Sequence, residues 1–182
     1  MTDAKTPVVE VRNLWRSYTR GSETVHALAD FGMVVEPGEM VGIVGRSGSG
    51  KTTLLNQIGC LDRPTRGEVI IAGTNVTRLP ERDLATFRRD HIGFIFQLFY
   101  LLPTLTVVEN VGLPMLFARR HDPRRVQEAC RRVGLGDQLN ALPGNLDGGD
   151  MQRVAIARAR RASACRRSLR RSASAAGRRA GR

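Results

Sequence analysis

At 182 residues, 41% hydrophobic and 25% charged, the chain has the makeup of one globular domain with room for a sizeable core. Its net charge of +12 sits at one end: residues 153–182 hold 11 Arg and no acid, whereas residues 1–152 hold 18 Lys and Arg against 17 Asp and Glu. This placement excludes a basic domain surface as the source of the high pI, and with it a nucleic-acid-binding function argued from pI alone.

Taken in order, residues 8–11 alternate like a short strand and lead to Leu14, Trp15, Arg16, Ser17 and Tyr18. A second apolar stretch, 27–35, runs into the turn Pro37-Gly38, and the apolar run 40–44 is the strand expected before the next feature. That feature is Gly45-Arg46-Ser47-Gly48-Ser49-Gly50-Lys51-Thr52, which fits G-x-x-x-x-G-K-[ST], the phosphate-binding loop of P-loop nucleotide hydrolases. Glycines at 48 and 50 allow positive φ and close approach to a ligand. The loop's N–H groups can then form an anion-binding nest. A helix starting near Lys51 adds its orphan donors and positive dipole end. Lys51 offers a point charge for the β/γ-phosphates, and the Thr52 hydroxyl a ligand for Mg²⁺. Leu54, Leu55 and Ile58 recur at helical spacing behind it.

Residues 62–67 read as a turn, 68–72 as a β-branched strand, and Gly73-Thr74-Asn75 as a further turn. Pro80 suits the first position of a helix with Glu81 and Asp83 in its first turn and Arg88 and Arg89 in its last. Residues 92–96 form a buried-strand candidate ending at Gln97. Thr106 and Glu109 have capping-box spacing before a helical stretch that Pro114 is expected to interrupt. Asp122-Pro123 starts another helix, with Val126, Ala129, Cys130 and Val133 on its apolar face and Gly134 as its stop. The loop 142–150 then leads into a helix through Ala159. Strands alternating with helices, plus a mostly helical insert at about 98–145, read as α/β with a helical subdomain. Cys60, Cys130 and Cys165 are widely spaced with no C-x-x-C pair, so reduced thiols are expected, not a disulfide framework or zinc site. The longest apolar run, 92–102, falls short of the ~20 residues of a membrane helix, and residues 1–5 show no signal-peptide core.

The order of Tyr18, the loop at 45–52, Gln97, Leu146-x-Gly148-Gly149 and then Gln152-Arg153-Val154-Ala155-Ile156-Ala157-Arg158-Ala159 resembles the ATP-binding subunit of ABC transporters. The texture at 101–106 and Glu109-Asn110-Val111 is similar to the lipoprotein-release and macrolide-export type. The resemblance covers roughly residues 8–159. It implies an α/β P-loop NTPase core with a helical subdomain (about 98–158), an incomplete sheet, and an Arg/Ala-rich C-terminal tail at 160–182. Tyr18 would stack on adenine; Gly45, Ser47, Gly48, Ser49, Gly50, Lys51, Thr52 and Thr53 would hold ATP with Mg²⁺; and Gly148 and Gly149 would contact the nucleotide bound by an opposite subunit. Thr52 and Gln97 would be the metal-side residues, with Gln97 also catalytic at the attacking water. The implied activity is ATP binding and hydrolysis coupled to export. Its partners would be a transmembrane permease and either a homodimer mate or another ATP-binding subunit, at the inner face of the plasma membrane. No specific nucleic acid is expected.

Two departures from the family pattern carry expectations. Asp147 stands where the family has Ser, and Asp150 where it usually has Gln. A carboxylate facing a γ-phosphate at ~4 Å and a dielectric of ~20 meets a Coulomb term of ~4 kcal/mol per unit pair. A third of that weakens ATP-driven pairing about tenfold. The second departure follows Ala159, where the family enters an apolar Walker B strand ending in Asp-Glu and later a γ-phosphate His. Residues 158–182 use only Arg, Ala, Ser, Gly, Cys and Leu, and His26, His91 and His121 all precede the signature. A chain cut off before its hydrolytic half is therefore expected, with little turnover; a frame slip in a GC-rich message would produce such a composition. Two alternatives stand beside this: a non-catalytic partner of an intact subunit, and an Arg-rich arm for nucleic acid or anionic lipid.

Overall fold

The structure, a computed structural model, describes residues 6–160. Chain contacts divide it into two compact units, one running to Ala85 and the other from Thr86. The expected tail at 160–182 and Cys165 lie outside the described residues beyond 160.

The first unit is built on an antiparallel sheet of four strands in the order β2-β1-β3-β4: β1 Val9–Arg20, β2 Glu23–Val35, β3 Arg66–Ile71 and β4 Thr74–Asn75. β1 and β2 form one long hairpin, closed where Arg20 faces Glu23 around Gly21 at φ 61°. Positive φ in a two-residue turn matches the right-handed twist of the strands. The hairpin extends well past the alternation read at 8–11 and 27–35, because Arg16, Ser17 and His26 pair through their backbones despite polar side chains. Its register slips between Val11 and Leu14, where Asn13 (φ 45°) lies across from Asp30 (φ 49°) and donates from Nδ2 to Asp30 Oδ1 at 3.0 Å. This bulge resets the two-residue period, so Val11 and Leu14 both point inward although three apart. With Leu28, Val69, Ile71 and Leu54 of helix α1 (Lys51–Ile58) they make the core of this unit. The turn expected at 73–75 is centred one residue earlier, on Ala72 (φ 48°) and Gly73 (φ 79°), and Thr74 already pairs back to Ile71.

Two expected strands are absent among the described residues. Residues 40–44 carry no ladder, with Met40 97% and Val44 92% exposed. Residues 92–96 likewise form no strand, and Ile95 and Phe96 are exposed rather than buried. An apolar run becomes a strand only when a neighbour takes its backbone donors and acceptors. The pairings of the described sheet are all antiparallel and involve only β1, β2, β3 and β4, so neither 40–44 nor 92–96 has a strand partner among the described residues.

The division falls within α2 (Glu81–His91). Pro80 stands just ahead of this helix, one residue earlier than expected, its carbonyl accepting from the N–H groups of Asp83 and Leu84. The second unit holds α3 (Val107–Phe117), α4 (Pro123–Arg132) and a last helix, α5, covering 148–160. Thr106 and Glu109 form a complete capping box on α3: Glu109 N–H donates to Thr106 Oγ1 and Thr106 N–H to Glu109 Oε2 at 2.8 Å. Pro114 does not interrupt α3. It removes one donor, and the ladder resumes with Ala118 N–H on the Pro114 carbonyl. Asp122 caps α4 by accepting from the N–H groups of Arg124 and Arg125, and Gly134 (φ 79°) follows its end. Val107, Val111, Met115, Val126, Cys130, Leu135 and Val154 pack as one core. Asn110, fully buried, ties α3 to the segment before it: its Oδ1 accepts from Leu102 N–H, and its amide faces the carbonyls of Leu102, Leu105 and Thr106. Arg158 of α5 donates to the carbonyls of Phe99 (2.5 Å) and Tyr100 (2.7 Å), two consecutive residues at positive φ.

Candidate functional site

In the first unit the loop 45–50 leads directly into α1. Gly50, at φ 85° and ψ 3°, is the N-cap of α1 and supplies no side-chain cap. The first-turn donors of the helix therefore point out of the loop unclaimed by a capping oxygen. A side chain at Gly50 is barred twice, by the left-handed backbone and by the Ala27 carbonyl of β2, 2.3 Å from where a Cβ would lie. Gly48 is also at positive φ (80°), but a Cβ there would meet open space. That open side is room for a ligand. Lys51 Nζ reaches back across the loop, donating to the carbonyls of Gly45 (2.9 Å) and Arg46 (2.6 Å) and lying 3.4 Å from Ser49 Oγ. Ser47, Ser49 and Thr52 are exposed and Thr53 half-buried, so the hydroxyls around the loop mouth are accessible. The arrangement has the parts an anion cradle needs: an ammonium held over the loop, helix donors without a side-chain cap and an open glycine side.

Tyr18, 42% exposed near the end of β1, is held by an apparatus the sequence did not announce. Its hydroxyl donates to Asp62 Oδ2 at 3.1 Å, and the Arg16 guanidinium lies over its ring, 4.5 Å from the centroid. Arg16 in turn donates from Nη2 to Asp62 Oδ1 at 2.9 Å. The Tyr18 contact, and after it the Asp62 charge, holds the Arg16 guanidinium above its usual range against the opposing effect of burial. Gln57 of α1 donates from Nε2 to the same carboxylate at 3.1 Å. Arg16, Gln57 and Asp62 were not among the sequence candidates, since an acid in a turn and a glutamine in a short helix give no pattern to read.

In the second unit, Gln97 is exposed in a turn. Gly148 and Gly149 open α5, and Asp147 is its N-cap: its Oδ1 accepts from Asp150 N–H at 2.6 Å and its carbonyl from Met151 N–H at 2.9 Å. Asp150 is buried, bonded to Gln138 Nε2 at 3.0 Å and to Arg153. Those two partners, Gln138 first, hold its carboxyl below the usual range. The cradle at 45–53 and the Tyr18 cluster thus share the first unit, while Gln97 and the 147–153 group belong to the second. Among the described residues no three His, Cys, Asp or Glu side chains gather to hold a metal, and no helix is long and apolar enough to cross a membrane.

Comparison with known proteins agrees with the loop and signature spacing. The sequence profile of the ABC transporter family matches residues 28–164. An ABC transporter ATP-binding protein of Thermotoga maritima is 50% identical over 155 residues, covering 84% of this chain and 66% of that protein. The macrolide export ATP-binding/permease protein MacB of Sodalis glossinidius is 46% identical over 157 residues, covering 85% of this chain. The chain spans 24% of the length of that MacB. An ATP-binding cassette solved as a dimer in a post-hydrolysis state with ADP and Pi superimposes with a TM-score of 0.76 at 44% identity, covering 83% of this chain and 68% of that one. Glycine-lined cradle, signature helix and sequence profile converge on one assignment: the chain belongs to the ABC transporter family.

Proposed function

We propose that the chain is the nucleotide-binding part of an ABC exporter, holding ATP with Mg²⁺ at the 45–53 cradle and acting with a membrane permease. The observation that carries this is Gly50: left-handed, pressed on Ala27, and leaving the head of α1 uncapped beside the Lys51 ammonium. Three polyphosphate oxygens need donors and positive charge at close quarters, which this loop concentrates. Lys51 would trade its bonds to the Gly45 and Arg46 carbonyls for the β/γ-phosphates, and the Gly48 wall lets them approach. Tyr18 would take the adenine on the ring face that Arg16 leaves open. Magnesium fits this donor set: it keeps most of its waters and phosphate oxygens and asks little of the protein, here the exposed Thr52 hydroxyl, with Gln97 as a second candidate. Bound there, the ion would neutralise charge between the β- and γ-phosphates. The permease would place the chain peripherally at the cytoplasmic face of the membrane.

Pairing with an ATP-binding subunit that carries Ser at the signature is the reading Asp147 favours. Its carboxylate sits at the head of α5, where the family brings the other subunit's γ-phosphate, so a pair of two such chains meets like charge twice.

Equilibrium binding of Mg-ATP to the full chain tests the core of this. Lys51→Ala removes a charge-assisted donor and should weaken binding about ten- to a hundredfold. Equal affinity of the variant and the parent would sink the assignment.

A further inference from the structure

The Asp62 carboxylate is saturated. Oδ1 accepts from Arg16 Nη2 (2.9 Å) and Arg63 N–H (2.8 Å), and Oδ2 from Tyr18 Oη (3.1 Å) and Gln57 Nε2 (3.1 Å). A carboxylate has about four lone-pair sites, so none is left over for a ligand. Its side-chain partners come from two elements, Arg16 and Tyr18 from β1 and Gln57 from the last turn of α1, and the fourth donor is the backbone of the adjacent Arg63. The opposite end of that helix is the phosphate cradle. Arg16 covers one face of the Tyr18 ring and Asp62 accepts from its hydroxyl, so the two contacts together restrain the ring beside the carboxylate that Gln57 of α1 also binds.

We infer that Asp62 is a positioning residue for nucleobase binding: it fixes the Tyr18–Arg16 pair against α1 and so sets the span between the base and the triphosphate. The inference rests on the nucleotide reading above and extends it to a residue that touches neither base nor phosphate. Its signature is selectivity. Losing Asp62 frees the ring to leave its stacking pose but leaves Lys51, Gly48 and Gly50 in place, so a ligand without a base should not register the change.

The test is equilibrium binding to the full chain of Mg-ATP and of magnesium tripolyphosphate, which carries the phosphates without the base. Asp62→Ala should weaken ATP about fivefold, a part of what base–aromatic stacking supplies, and leave tripolyphosphate within about twofold. Tyr18→Phe keeps the ring and drops its link to Asp62. It should weaken ATP about two- to threefold, and adding Asp62→Ala should then cost less than on the parent, because the two changes cut one network. If Asp62→Ala does not fold, as a thermal melt would show, the near-isosteric Asp62→Asn and Tyr18→Phe carry the same comparison. Equal weakening of both ligands would make Asp62 a general brace of the unit and overturn the inference, as would unchanged ATP affinity. Lys51→Ala separates the two claims: if it leaves tripolyphosphate binding intact, the nucleotide site itself is refuted. If it weakens tripolyphosphate while the Asp62 variants leave the ligand ratio unchanged, only the role of Asp62 falls.

Discussion

Replacing Asp147 by alanine removes the N-cap of α5 and, with it, the charge at the head of that helix. The cap is a bond of 2.6 Å from Asp150 N–H to Asp147 Oδ1. Losing such a cap costs about 1 kcal/mol, and losing a carboxylate at the positive helix end about 0.5 kcal/mol more at an exposed position. For a chain of this size each kcal/mol moves the melting temperature by roughly 2–4 °C, so Asp147→Ala should melt about 3–6 °C lower. Serine keeps a capping oxygen and gives up only the charge, so Asp147→Ser should fall by about 1–2 °C. Thermal melts of the three proteins, followed by far-UV circular dichroism, read the order directly. Asp147→Ala melting with the parent, or Asp147→Ser falling as far as alanine, would refute the cap as the role of this carboxylate. The serine variant also has a functional side: without like charge at the signature, ATP-dependent pairing measured by sedimentation should strengthen about tenfold, from about 1.4 kcal/mol of relieved repulsion.

Two further predictions concern the second unit. Asn110→Ala abolishes the bonds that the buried Asn110 side chain makes to Leu102, Leu105 and Thr106, so urea unfolding should show a loss of about 3 kcal/mol with an unchanged slope. Acid should destabilise this unit through Asp150, held low by Gln138 and Arg153, and Asp90, held low by Arg89. A carboxyl with a lowered folded value adds stability above its unfolded pKa of ~4 and loses it as pH falls through the folded value. Melting temperature should therefore stay level from about pH 7 to 5 and drop below ~4, and Asp150→Asn should flatten part of that drop.

What could be read in advance was the local chemistry. Thr106 with Glu109, Asp122 with Pro123, and Gly134 each satisfy or break backbone bonds within a few residues, and each is where it was expected. The phosphate loop is legible for the same reason, since Gly50 and Lys51 are determined by the turn they occupy. The strands at 40–44 and 92–96 were misjudged because an apolar run states a demand for a neighbour and says nothing of whether one is supplied. Asp147 was read for its charge alone, although an acid just before a helix is also a cap. Asp62 was invisible altogether: its side-chain partners are 5 to 46 residues away in sequence, and only folding brings them to one carboxylate.

The clasp of Arg158 on the carbonyls of Phe99 and Tyr100 joins positions 59 and 58 residues apart. During synthesis the stretch at 99–100 leaves the ribosome several seconds before its partner, at about 5–20 residues per second. Through that interval the two left-handed residues have only local bonds, Phe99 N–H to the Phe96 carbonyl and Tyr100 N–H to that of Leu98. The segment that follows Gln97 thus acquires its shape late, once the helix bearing Arg158 has emerged and swung into place.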